Sequence, residues 1–174
     1  TKYIRLRFDD DTGHSLLLYG GYMGPKYSIG KPFSGQKRGP DPIKKFEDFK
    51  LNIISNLNKS EFKKPISEVL LNQKYFNGIG AYLNSEIMGR LDIDPFKNFS
   101  DLSELELDSL FNMIFKCCNE SYNLGGGELK DWKNPFEFNS IHTWIKFYGN
   151  KDICQKQKFG TRNIWNKNKF IKNN

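Results

Sequence analysis

The chain has 174 residues, room for one domain or two small ones, and carries 27 Lys and Arg against 20 Asp and Glu, a formal charge of +7 with a pI near 9.2. That excess points to a polyanionic partner, either nucleic acid or an acidic membrane surface. No apolar run reaches the length of a membrane span and no signal-peptide pattern is visible, and three cysteines, of which Cys117 and Cys118 are neighbours, exclude a disulfide framework. A location inside the cell, in a reducing compartment and away from membrane, is expected.

In chain order, Tyr3 to Phe8 alternates at the period of a half-buried strand, Asp9-Asp10-Asp11-Thr12-Gly13 reads as a turn, and Ser15 to Tyr19 as a second strand. Consecutive aspartates in a hairpin loop are solvated acids, and no further ligands follow them in sequence to make a metal site. Gly20 to Gly39 has little periodicity and reads as irregular sheet edge and linker, with the change from a β-rich to a helical part near Gly39–Pro42. The chain opens at Thr1, without Met and directly in a strand-like run, as a fragment would that begins after an earlier segment.

From Ile43 the period becomes helical: Ile43, Phe46, Phe49, Ile53 and Leu57 share a face, with Pro42 placed where a missing N–H costs nothing. Pro65 opens another helix carrying Ile66, Val69 and Leu70 inward. Leu83, Ile87 and Leu91 mark a third, which Asp94-Pro95 is expected to end. Ser103 with Glu106 is a capping-box pattern ahead of the stripe Leu107, Leu110, Phe111, Ile114, Phe115 and Cys118. These helices are expected to share one bundle-like core. Gly125-Gly126-Gly127 lacks the preceding strand and following Lys-Ser/Thr of a phosphate loop and reads as a linker.

Two stretches carry chemistry. Gln73 to Glu86 (QKYFNGIGAYLNSE) reads as a helix end, a tight turn at Gly78 and Gly80, and a new helix whose first N–H groups favour an anion. Lys74 and Asn77 stand beside that turn. In the tail, Phe159-Gly160-Thr161-Arg162 between two short runs predicts a β-hairpin whose tip presents Arg162 near several lysines, the arrangement that grips a phosphate.

With both stretches in view the chain resembles the formamidopyrimidine-DNA glycosylase / endonuclease VIII family of base-excision repair, and most of all its endonuclease VIII-like branch with a zincless finger. Gln73 to Leu83 with Glu86-Ile87 is similar to the family's helix–two-turn–helix segment, and Arg38-Gly39-Pro40 and the Phe46 to Leu57 helix fall where that branch has them. The resemblance implies an α+β fold: residues 1–39 as the end of a β-sandwich catalytic domain, 40–138 as the helical DNA-binding domain, and 139–174 as the finger hairpin. It implies double-stranded DNA with an oxidised base or abasic site as partner, a monomer acting at DNA inside the cell, and glycosylase plus lyase activity by β,δ-elimination. The implied DNA contacts are Lys74, Asn77, Gly78, Gly80 and Arg162, with Arg162 also assisting elimination.

Several positions depart from the family. Ala81 stands where its members have an Asn that touches phosphate, and Gly21-Tyr22-Met23 stands in place of an Arg-x-Phe pair, leaving Met23 as the expected filler of the gap behind an everted base. Where zinc-bearing members have two Cys-x-x-Cys pairs, this chain has Cys154 with Gln157 and Trp165 with Asn168, so no metal and no cofactor is expected. Thr1-Lys2 does not match the family's N-terminal proline nucleophile, so this chain by itself is expected to bind DNA without catalysing. The rival reading is a non-catalytic nucleic-acid-binding module.

Overall fold

A computed structural model describes residues 4–19, 38–125, 141–160 and 162–170. The chain divides into two compact units, Thr1–Gln36 and Lys37–Asn174. In the first, β1 (Ile4–Asp9) and β2 (Ser15–Tyr19) form an antiparallel hairpin, with Asp9 opposite Ser15. The acidic turn is held by Asp10, whose carboxylate accepts the N–H groups of Thr12 and His14 at 3.0 and 2.8 Å. Asp10 therefore serves as a turn former. Met23, the expected gap filler, lies outside the described residues, as does the expected boundary at 138/139.

Among its described residues the second unit is helical with one hairpin, so the chain is α+β. It contains α1 (Phe46–Ile54), α2 (Ile66–Val69), α3 (Ala81–Leu91), α4 (Glu104–Asn123), α5 (Ile141–Trp144), and the antiparallel pair β3 (Cys154–Phe159) and β4 (Arg162–Lys167). The expected apolar faces meet in one core. Phe49 and Ile53 of α1, Ile66 and Val69 of α2, Leu83 and Ile87 of α3, and Leu110, Phe111, Ile114 and Cys118 of α4 are all buried there. Edge-on ring contacts knit it together, Phe49 against both Phe76 and Phe111 and Phe62 against Phe99. Burial pushes the Cys117 and Cys118 thiols up to about 12, so both are inert packing residues.

Several helix ends differ from expectation: α1 stops at Ile54, before Leu57, and α2 stops at Val69, so the stretch from Gln73 to Gly80 is a series of turns and not a helix end. The first helix begins at Phe46, because Asp41 turns the chain beforehand: its carboxylate accepts from Ile43 and Lys44 N–H, and its carbonyl accepts from Lys45 N–H. The third ends at Asp92, before Asp94-Pro95; Asp92 adopts φ 59°, the left-handed stop that Asp tolerates better than most residues. At α4 the capping box forms as the sequence indicates, Ser103 Oγ accepting from Glu106 N–H while Glu106 accepts from Ser103 N–H.

Candidate nucleic-acid interface

The turn ahead of α3 is held by its own side chains. Gly78 adopts φ +84°, which a glycine accommodates freely. Gln73 spans the loop, its Nε2 donating to Ile79 O at 2.8 Å and its Oε1 accepting from Gly78 N–H at 3.0 Å. The Gly78 amide, one of the expected phosphate donors, is therefore already satisfied within the chain. Gly80 is extended (φ −104°) and caps α3 through its carbonyl, which accepts from Asn84 N–H at 2.9 Å. The first-turn N–H groups of Ala81, Tyr82 and Leu83 have no acceptor among the described residues, and they supply the positive helix end.

Asn77 also serves the turn: its Nδ2 donates to Gly39 O at 3.0 Å. Gly39 N–H in turn donates to Gln73 O at 2.9 Å, and a Cβ on Gly39 would sit 2.6 Å from Lys74 O. Arg38-Gly39-Pro40 is thus the strap that backs the turn, and glycine is required there by contact. Lys74 is exposed with its Nζ 5.1 Å from the Tyr75 ring centroid, leaving the ammonium open to solvent. Beside the turn lies an open cleft of about 210 Å³ lined by Asp41, Asn77, Gly78, Tyr82, Ser121 and Tyr122 among others.

The finger hairpin is fastened to α3 along its length. Trp165 N–H donates to Ser85 Oγ at 2.9 Å, and Lys167 Nζ reaches Asp92 at 2.6 Å, with Lys169 on the other carboxylate oxygen. These bonds hold Asp92 below the usual carboxylate range, the Lys167 hydrogen bond first and that of Lys169 next. They also set the direction of β4, whose later residues lie toward the end of α3 and whose earlier ones lie toward its start. Arg162 stands three residues before Trp165, about 10 Å along a strand. Ala81 stands four before Ser85, about 6 Å along a helix. The arginine-bearing tip therefore points toward the α3 N-terminus. Gly160, with φ +54°, passes that tip close to Glu68 of α2, and Phe159 packs on Phe96 with centroids 5.2 Å apart. Arg162 itself is exposed.

Reading the sequence assigned no role to the residue that ties the finger arm to α3. Glu86 is fully buried, and its Oε1 accepts the backbone N–H groups of Lys146, Phe147 and Tyr148 at 3.0, 2.7 and 2.9 Å. Its Oε2 takes Arg90 Nη2 at 3.3 Å; that guanidinium donates to Trp144 O at 2.9 Å, pairs with Glu120 at 3.5 Å and lies 4.4 Å from the centroid of the Trp144 ring. Asn84, Ser85 and Glu86 are consecutive buried polar residues on a helix. Hydrophobic periodicity treats such residues as solvent-facing, so only their place in the resembling segment marks them.

The hairpin residues do not fit a metal. Cys154 is buried in packing with its thiol pushed up by burial, Gln157 and Asn168 are amides, and the indole of Trp165 offers a donor and no ligating lone pair. Among the described residues no group of three His, Cys, Asp or Glu is placed to hold an ion.

No protein-family model matches the chain. Human endonuclease 8-like 1 is 29% identical over 148 residues, 74% of this chain and 38% of that protein. Formamidopyrimidine-DNA glycosylase of Streptococcus mutans is 28% identical over 159 residues, 87% of this chain and 57% of that protein. The chain thus spans about half the length, or less, of these curated relatives. Among solved structures, a complex of Lactococcus lactis Fpg with abasic-site DNA superposes with TM-score 0.64 at 24% identity, covering 75% of this chain and 50% of that one. MutM from Thermus thermophilus superposes with TM-score 0.62 at 23% identity, covering 74% and 52%. These likenesses establish the fold. In sequence and in fold the chain is similar to the C-terminal portion of members of the formamidopyrimidine-DNA glycosylase / endonuclease VIII family.

Proposed function

We propose that this chain is the DNA-gripping part of a base-excision-repair DNA glycosylase with lyase activity on oxidised bases. The observation that supports the reading is the shared direction of α3 and β4, which points the exposed Arg162 toward the end of α3 that carries the open N–H groups of Ala81, Tyr82 and Leu83. A positive helix end and a guanidinium on one side can hold neighbouring phosphates of one strand. Lys74 adds a mobile charge beside the turn. Asn77, Gly78 and Gly80 act by shaping the turn, and any contact from them to DNA is through atoms left over from that task.

In this reading the damaged nucleotide is taken out of the stack, since its sugar C1′ is unreachable within the duplex. The turn and the finger hold the backbone on either side. Arg162 touches the phosphate that departs in the elimination, and the covalent step on C1′ belongs to residues other than those described. The names of the relatives support oxidised bases and abasic sites as substrates: one solved neighbour is bound to DNA containing Fapy-dG and another to DNA containing an abasic site. Action on DNA places the protein inside the cell, at a nucleus, nucleoid or viral replication site. Among the described residues no helix is long and apolar enough to cross a membrane.

Borohydride trapping on an oxidised or abasic duplex tests the assignment. The full-length protein that carries this chain is expected to give a covalent adduct, and the 174-residue chain alone is expected to bind and give none. Absence of any adduct from the full-length protein would replace the enzyme with a non-catalytic DNA-binding module.

A further inference from the structure

The positive charge of the chain is concentrated in the finger. Residues 144–170 hold seven lysines and arginines and a single acid, Asp152, which is nearly all of the net +7. Lys167 and Lys169 are neutralised by Asp92 at the base. The register of the hairpin separates the rest. Gln157 opposite Ile164 and Phe159 opposite Arg162 lie on one face, and there Phe159, Ile164 and Asn166 are buried. Lys156 opposite Trp165 and Lys158 opposite Asn163 lie on the other face, which the buried Cys154 and the Asp92-paired Lys167 close at its base and which is open toward the tip. Lys156, Lys158 and Asn163 are exposed, Trp165 is half-buried between them, and neither lysine has an acidic partner among the described residues.

We propose that this solvent face of β3–β4 is a second phosphate-binding surface, which holds the duplex arm beyond the nucleotide gripped by Arg162 and the α3 turn. The inference rests on DNA being the partner. Two unpaired lysines one strand repeat apart, on a stiff ribbon docked by its other face, match a row of backbone phosphates in charge and present no base-reading geometry. The surface therefore contributes affinity and salt dependence without lesion preference.

Equilibrium binding of the chain to a duplex with a stable abasic-site analogue, and to the same duplex undamaged, tests this between 50 and 200 mM salt. Lys156→Gln with Lys158→Gln is expected to lower the slope of log K against log salt by about 2 for both duplexes. Across that fourfold salt range the loss of affinity becomes about tenfold smaller than for the parent chain, with the lesion-to-undamaged ratio unchanged. Lys156→Arg with Lys158→Arg is expected to keep the parent slope, which a merely structural role of the lysine side chains would not predict. An unchanged slope in the Gln variant while the parent chain binds the abasic duplex overturns this surface and leaves the proposed function standing. No binding of either duplex by the parent chain overturns both.

Discussion

Glu86 offers the sharpest test of how the finger is held. Its carboxylate is fully buried and is the sole acceptor, among the described residues, for three successive backbone N–H groups. A hydrogen bond to a charged acceptor contributes about 1.5–3 kcal/mol and one to a neutral acceptor about 1 kcal/mol. Glu86→Gln keeps an oxygen for the three amides but removes the charge, and it turns an NH₂ toward Arg90 Nη2, which now lies 3.3 Å from Oε2. Summed over the three amides, with the guanidinium adding to it, the expected cost is about 2–6 kcal/mol. Glu86→Ala strands all three N–H groups at about 1–3 kcal/mol each and leaves a largely buried guanidinium without its nearest carboxylate. Its total is comparable to the whole stability of a domain, about 5–15 kcal/mol. Urea denaturation followed by tryptophan fluorescence reads both changes, since Trp144 and Trp165 lie in the fastened segment. A Gln variant within about 0.5 kcal/mol of the parent, the size of an ordinary surface substitution, would refute this account of the arm.

Gly89 is a second fastening point: a Cβ there would lie 2.3 to 2.6 Å from three ring atoms of Phe147. Gly89→Ala gains about 1 kcal/mol of helix propensity but overpacks by about 1–3 kcal/mol, so a net loss is expected, turning to a gain in a Phe147→Ala background, as a thermal double-mutant cycle would show. Glu106 is held at about 2, first by its hydrogen bond from Lys97 and then by Ser103 N–H. Because its folded pKa lies below the ordinary 4.5, the stability it confers is present above that value and fades as pH falls toward 2. Glu106→Gln should accordingly flatten the acid limb of a pH–stability curve, and an identical limb would deny the cap that role. Elemental analysis of the purified chain should find no stoichiometric zinc, and a full equivalent would mean that the finger is tied by residues other than those named here.

The sequence showed most of the helical core, because Phe49, Ile53, Ile87 and Leu110 repeat at helical steps and end up inside. The capping box at Ser103 and Glu106 was equally plain, since it is local chemistry. Less was legible where a residue's duty depends on distant chain. The glycine pair suggested a tight turn at both positions, yet of the two only Gly78 has positive φ, while Gly39, read as a linker residue, is the one pressed against a backbone carbonyl. The amides expected to face phosphate are likewise partly used up: Gln73 takes Gly78 N–H, and Asn77 braces Gly39. The docking of the finger by Ser85, Glu86 and Asp92 joins residues 60 to 80 positions apart, beyond the reach of any periodicity.

In the proposed grip the start of α3 and the tip of the finger close on the same backbone. Amide NMR mapping of the chain titrated with an abasic-analogue duplex tests it directly. Ala81, Tyr82 and Leu83 are expected to shift together with Gly160 and Arg162, and Arg162→Ala to weaken binding and lower the salt slope by about one phosphate contact. Shifts at only one of these two places, with the slope unaltered by Arg162→Ala, would contradict it.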